Sequence, residues 1–210
     1  MIKIFVADDH SLIREGIKNL VGLESDLKIV GETADPFTVC DRIRETNPDI
    51  ILLDISMPGK SGLDVLKEVK QILPDVKVLI MSMLPEDQFA KRTLKAGASG
   101  YITKDSLPDD ILTAIRRVAS GRKYVSEFLA EKLANDLYDH TEKQPHEILS
   151  DREFQILKMI ASGKSQSDIS DELAISVSTV NTYRSRILEK LNFKSNADII
   201  RYAIQNNLME

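Results

Sequence analysis

The sequence predicts an α/β fold built on a parallel sheet, followed by a separate all-helical module. Three observations carry that expectation. Five short apolar runs alternate with five amphipathic stretches over residues 1–121. Each run is apolar almost throughout, rather than at every second position. No comparable run occurs after Ile148. Strands that are apolar on both sides need cover on both faces, which helical crossovers in a parallel sheet provide.

Taken in order, strands are expected at 2–7, 27–31, 49–53, 76–81 and 100–102. Helices are expected at 12–23, 37–44, 62–73, 86–96 and 108–120, where apolar residues recur at helical spacing. Ser11 and Asp35 stand as expected N-caps, Pro36 and Pro108 as expected helix starts, and Gly31, Gly97 and Gly100 as expected turn residues. Val125, Phe128, Leu129, Leu133 and Leu137 form one further helical pattern, and a polar stretch at 141–147 containing Pro145 follows it. Beyond it lie only helical patterns, at 151–161, 165–173, 177–191 and 196–206. The expected division is therefore a first domain at 1–121, a linker helix and loop at 122–145, and a second domain at 146–210.

Composition narrows the function classes. An apolar content of 42% with 29% charged residues is enough to bury a core. No apolar run approaches the ~20 residues that span a bilayer, so no membrane association and a cytoplasmic location are expected. A single cysteine, Cys40, excludes an internal disulfide framework and a cysteine-based zinc cage. The net charge of −5 means that any nucleic-acid binding must come from a local patch. Residues 177–191 supply a modest one, where Arg184, Arg186 and Lys190 face only Glu189.

The chemistry gathers at the strand ends. Asp8 and Asp9 close the first apolar run and Asp54 the third; Ser82 ends the fourth, and Lys104 follows the fifth. In a parallel sheet fed by alternating helices these ends share one edge, where α/β folds bind ligands. Three carboxylates that repel one another attract a cation, and Mg²⁺ prefers oxygen ligands completed by water and phosphate. A lysine and a hydroxyl can meet phosphoryl oxygens, so the set suggests phosphoryl transfer to a carboxylate. Asp8 or Asp9 alone reads as a helix cap; the three aspartates, Ser82 and Lys104 together, each at a strand terminus, do not. Cys40, Met57, Met83 and the three histidines are given no role, and His10, although close to the site, reads as a solvated helix-start residue.

These residues resemble the receiver domain of bacterial two-component response regulators. The matching stretches are Val6-Ala7-Asp8-Asp9-His10, Leu53-Asp54-Ile55-Ser56-Met57-Pro58-Gly59, Ser82, Ala96-Gly97-Ala98 and Gly100-Tyr101-Ile102-Thr103-Lys104-Asp105, over the first 120 residues or so. The resemblance implies a flavodoxin-like sheet of order 2-1-3-4-5 and phosphorylation of Asp54 by a cognate histidine kinase. It implies Mg²⁺ held by Asp9, Asp54 and the main-chain carbonyl of Ser56, with Asp8 acting mainly through water. Ser82 and Tyr101 match the hydroxyl and aromatic switch positions. Asp105 stands where many receivers carry proline.

In the helical module, the pattern at 165–173, a short turn and then 177–191 reads as helix–turn–helix. Ile169, Leu173, Val177, Val180 and Ile187 are the expected locking faces, and Val180–Arg186 presents amide, hydroxyl and guanidinium groups outward. Such groups read base edges, while cationic ones neutralise phosphates. A plain helical bundle with a polar face fits that pattern equally well. Leu149-Ser150-Asp151-Arg152-Glu153, Ala161-Ser162-Gly163-Lys164-Ser165, Ile175-Ser176, Ser178-Thr179-Val180 and Leu188-Glu189-Lys190-Leu191 resemble a LuxR-type helix-turn-helix over residues 148–208. With the receiver, they resemble the NarL/FixJ class of transcription factors. The resemblance implies that Asn181, Thr182, Ser185 and Arg186 face DNA, with Lys164, Ser178, Thr179, Tyr183, Arg184 and Lys190 as weaker candidates, chiefly for phosphates. Asn181 and Tyr183 depart from the lysine and histidine that family members often carry there.

The expected function is a phosphorylation-activated, promoter-binding transcriptional regulator that dimerises when phosphorylated, through a surface around 191–208. Ser82 is expected to swing toward a phosphoryl group, with Tyr101 following into the vacated space. It is not expected to turn over external substrates. Two other readings compete: a phosphatase working through an aspartyl phosphate, and a phospho-regulated protein-binding module. Ser56 stands two residues after Asp54, where the phosphatase needs a second carboxylate.

Overall fold

The fold was obtained as a computed structural model that describes residues 1–138 and 144–209. The chain divides into two compact units, the first spanning Met1–Tyr138.

The first unit is a five-stranded parallel sheet of order β2-β1-β3-β4-β5. Its strands are β1 (Ile2–Ala7), β2 (Leu27–Thr33), β3 (Ile50–Leu53), β4 (Lys77–Ser82) and β5 (Gly100–Thr103). The crossovers are α1 (Ser11–Gly22), α2 (Val39–Thr46), α3 (Gly62–Ile72), α4 (Glu86–Lys95) and α5 (Pro108–Ala119). Alternation within the strands divides the core. Ile4, Val6, Ile50, Leu52, Leu79, Met81 and Ile102 share one buried cluster with Ile17 and Val21 of α1 and Ile111, Leu112 and Ile115 of α5. All four β3 residues are buried, as expected for a strand covered on both sides.

Register builds the functional edge. Ala7 of β1 pairs with Leu53 of β3, so Asp8 and Asp54 emerge side by side, and the Asp54 amide donates to the Ala7 carbonyl at 2.8 Å. At the other end of the sheet Ser82 pairs with Thr103, and the Lys104 amide donates to the Ser82 carbonyl at 2.9 Å.

Several boundaries differ from the sequence expectation. Ser11 is the first residue of α1, and His10 occupies its cap position. Asp35 accepts from the Phe37 amide at 2.9 Å in a turn that delays α2 to Val39. Gly97 does turn, with φ of 105°. Gly31 and Gly100 instead lie inside strands, because a Cβ at Gly31 would stand 3.0 Å from the Phe5 ring and one at Gly100 only 2.7 Å from the Tyr124 carbonyl oxygen. After α5 the chain returns along the free edge of β5. Tyr124 forms an isolated parallel bridge to Gly100, its amide donating to the Ser99 carbonyl and its carbonyl accepting from the Tyr101 amide, both at 3.1 Å. The linker helix follows as α6 (Glu127–Tyr138); of the polar stretch expected at 141–147, residues 141–143 lie outside the described residues.

The second unit contains a short 3₁₀ turn (Pro145–Ile148) and α7 (Asp151–Ala161), α8 (Gln166–Leu173), α9 (Val177–Leu191) and α10 (Asn196–Gln205). Reciprocal capping boxes start three of these helices: Ser150 with Glu153, Ser165 with Asp168, and Ser195 with Asp198. Ile156, Leu157, Ile160, Ile169, Leu173, Val180, Ile187 and Ile199 form the interior. Val177 is not among them: at the first position of α9 it is 42% exposed. Leu191 and Leu208 are buried within the unit, which withdraws them from the surface expected for dimer contact; Ile204 on α10 stays exposed.

Candidate phosphoacceptor site and nucleic-acid interface

The strand ends bring the five predicted residues together. Lys104, its side chain 2% exposed, places Nζ 2.8 Å from Asp54 Oδ2 and 2.8 Å from Asp8 Oδ2. Both carboxylates are fully buried. The second Asp54 oxygen, Oδ1, accepts from the Ser56 amide at 2.9 Å, which fixes the carboxylate plane. Gly62 closes the loop behind it; a Cβ there would lie 2.3 Å from the Ile55 Cα. Burial pushes the Asp54 carboxyl above its ordinary pKa, and Lys104 offsets only part of that. Burial also works against the Lys104 charge, but Asp54 and Asp8 outweigh it and hold the ammonium above its usual value. The lysine therefore stays charged, one cation between two buried carboxylates.

Asp9 stands at the rim, its side chain 27% exposed. Two oxygens, Asp8 Oδ2 and Asp9 Oδ1, are buried with no aligned hydrogen-bond donor; the Lys104 ammonium pairs with Asp8 Oδ2 by charge and distance, outside hydrogen-bond alignment. Asp8, Asp9, His10 and Asp54 each offer one donor atom, and all four atoms lie within 4.8 Å of one another. His10 stands as expected, solvent-exposed at the start of α1 and close to the site.

Ser82 is fully buried, and its Oγ accepts from the Leu84 amide at 3.2 Å. Tyr101 is also fully buried, and its hydroxyl donates to the Leu84 carbonyl at 2.8 Å. The ring lies in the interior in this conformation. Burial holds the phenol well above its normal range, leaving it a donor. Both switch-position residues thus hold Leu84, in the short loop leading into α4. On α4, Glu86 accepts from the Ser126 amide at 3.1 Å and from its hydroxyl at 2.5 Å, while Asp87 pairs with Lys132 of α6 at 2.9 Å.

In the second unit, Ser178, Asn181, Thr182, Ser185 and Arg186 are all exposed on α9. Their spacing puts them on one face, opposite the buried Val180, Ile187 and Leu191. Asn181, Ser185 and Arg186 make no side-chain hydrogen bond among the described residues; Thr182 bonds back to the Ser178 carbonyl at 3.0 Å. The weaker candidates are engaged elsewhere. Lys190 donates to the buried Glu153 at 2.7 Å, Arg184 to Asn196 at 2.6 Å, and Lys164 pairs with Glu172. Thr179 meets the Ser176 hydroxyl at 2.7 Å, and Tyr183 is half-buried.

Residues 4–116 match the response regulator receiver domain, and residues 147–203 match the bacterial regulatory proteins of the luxR family. The chain belongs to the LuxR-family response regulators. It is therefore a DNA-binding response regulator of a two-component system. Among relatives of this regulator, the oxygen regulatory protein NreC of Staphylococcus epidermidis is 35% identical over 217 residues, covering 100% of both chains. The response regulator GacA of Pseudomonas aeruginosa is 38% identical over 212 residues, covering 100% of this chain and 99% of its own. The structure of RcsB from Salmonella enterica serovar Typhimurium bound to promoter rprA in the presence of phosphomimetic BeF₃⁻ shares the fold at a TM-score of 0.65 and 21% identity, covering 96% of this chain and 98% of that one. Among the described residues of the regulator, no helix is long and apolar enough to cross a membrane.

Proposed function

We propose that this regulator accepts a phosphoryl group on Asp54 from the phosphohistidine of a cognate kinase in the cytoplasm, and that the phosphorylated chain dimerises and binds promoter DNA through α9. The observation that carries this is the Asp8–Lys104–Asp54 arrangement: a buried, oriented carboxylate held by a charged lysine where the strands end. An Asp54 oxygen attacks phosphorus while the P–N bond to the kinase imidazole breaks. Lys104, released from the carboxylate, follows the new phosphoryl oxygens, and the Ser82 hydroxyl turns to donate to another.

The Asp8 and Asp9 oxygens that lack an aligned hydrogen-bond donor, beside the buried Asp54 carboxylate, fit a hard divalent cation such as Mg²⁺. Asp9, Asp54 and the Ser56 carbonyl would hold it, with Asp8 acting through water. Bound there, the cation shares the charge of the phosphoryl oxygens.

Turning Ser82 removes the acceptor of the Leu84 amide, and Leu84 is also where Tyr101 is anchored. The turn feeds straight into Glu86 and Asp87, which fasten the linker helix, so the phosphoryl signal reaches α6 through one short segment. Glu86→Ala is expected to loosen α6, seen as faster amide exchange at 126–132, without loss of phosphorylation. Exchange as slow as in the wild type would exclude this route.

The site is tested by incubating the full chain with acetyl phosphate and reading the mass. One phosphoryl group on the wild type and none on Asp54→Asn is the expected result. Equal labelling of both would overturn the assignment. On α9, the unengaged face of Asn181, Ser185 and Arg186 supports contact with base edges and phosphates.

A further inference from the structure

We propose that His10 is an additional cation ligand of the phosphoacceptor site, giving an otherwise all-oxygen set a nitrogen donor and a preference for first-row transition ions over Mg²⁺. The proposal rests on the phosphoacceptor reading and extends it to metal selectivity. His10 occupies the N-cap of α1 in an extended conformation, yet its side chain makes no capping hydrogen bond. The ring turns back over the acid cluster, placing Nδ1 3.0 Å from Asp9 Oδ1 and 3.3 Å from Asp8 Oδ1.

Those separations have a geometric meaning. Donors about 2.1 Å from an octahedral ion stand about 3.0 Å from their cis neighbours. Moreover, Asp9 Oδ1 has no aligned hydrogen-bond donor although Nδ1 is 3.0 Å away. The two atoms converge on a common third point rather than facing each other. Lys104 Nζ lies 3.5 Å from Nδ1, a long contact that a cation held by Nδ1 would replace. The His10 side chain is 57% exposed, so an ion has a path from solvent.

Imidazole changes what such a site selects. Oxygen donors alone suit Mg²⁺, Ca²⁺ and Mn²⁺, whereas imidazole raises affinity for Co²⁺, Ni²⁺ and Zn²⁺ along the order of increasing Lewis acidity. With His10 engaged, such ions compete with Mg²⁺ for the pocket.

The test uses the full chain, Mn²⁺ as a spectroscopic probe and Ni²⁺ and Mg²⁺ as competing ions. Pulsed electron paramagnetic resonance of bound Mn²⁺ is expected to show ¹⁴N coupling in the wild type and none in His10→Gln. By calorimetry, Ni²⁺ affinity is expected to fall about tenfold or more in His10→Gln, with Mg²⁺ affinity within about twofold of the wild type. Mn²⁺ bound without nitrogen coupling, or coupling retained in His10→Gln, overturns the role of His10 and leaves the phosphoacceptor site standing. Mn²⁺ affinity unchanged by Asp9→Asn overturns both, because the ion is then not in the acid cluster.

Discussion

The acid pocket and the exposed face of α9 carry function in opposite ways. In the pocket, groups from four strand ends grip one another: Lys104 bridges Asp8 and Asp54, the Ser56 amide orients Asp54, and the Leu84 turn holds Ser82 and Tyr101. On α9, Asn181, Ser185 and Arg186 share one helix, point to solvent and hold no partner among the described residues. A buried charge must be paired to be tolerated, so the pocket spends its polar groups on one another, with one lysine shared between two carboxylates. An exposed polar face keeps its donors for an external surface. The difference separates a switch from a reader.

The pairing in the pocket can be broken most severely at Lys104. Lys104→Met leaves Asp8 and Asp54 buried together with no cation, at an expected cost of about 3–5 kcal/mol to the first unit. Without the lysine nothing offsets the burial that already holds the folded-state Asp54 carboxyl above its unfolded value. The folded form then binds protons more tightly, so the lost stability returns as pH falls through the folded pKa toward the ordinary carboxylate range. Denaturant unfolding of the variant and the wild type at neutral and mildly acidic pH measures this. A deficit that does not shrink in acid would contradict the pairing.

Arg186→Ala addresses the reader instead. It is expected to weaken promoter binding by about 1–3 kcal/mol while leaving thermal unfolding unchanged. A salt dependence shallower by about one unit would mark the partner as a phosphate; an unchanged slope with relaxed sequence preference would mark a base. Unaltered affinity would remove Arg186 from the interface.

The smallest effect sharpens the line between engaged and free residues on α9 itself. Although burial alone would raise the Glu153 carboxyl, Lys190 and the Ser150 amide outweigh it and hold its pKa below the usual glutamate value. Its stabilisation is thus present above that usual value and lost as pH falls through the folded pKa. Glu153→Gln is expected to destabilise the second unit by about 1–2 kcal/mol at neutral pH, with the difference from the wild type closing in acid. If Lys190 serves Glu153 rather than DNA, Lys190→Gln leaves the salt slope of promoter binding as it was.

Much of this was legible in the sequence because strand ends are marked by chemistry. A buried apolar run that stops at Asp8, Asp54, Ser82 or Lys104 announces both the strand and the edge, and the parallel arrangement then forces those residues together. Interactions set by close approach left no such mark. Gly100 read as a turn because sequence shows the missing Cβ but not the Tyr124 backbone that requires its absence. His10 is exposed at the start of α1, as expected, but its approach to Asp54 depends on β3, which local pattern does not show. The pairing of Lys190 with Glu153, 37 residues away, is likewise invisible to local pattern. The burial of Leu191 and Leu208 is also not marked locally, because it depends on how the helices of the second unit pack.

The account stands on one dependence, that occupation of the Asp54 pocket changes what α9 does. The direct measurement is promoter affinity of the full chain, by titration at fixed salt, with and without acetyl phosphate, for the wild type and Asp54→Asn. The expected result is tighter binding on phosphorylation of the wild type, and in Asp54→Asn one weak affinity that acetyl phosphate does not alter. Equal affinity in all four conditions would contradict it.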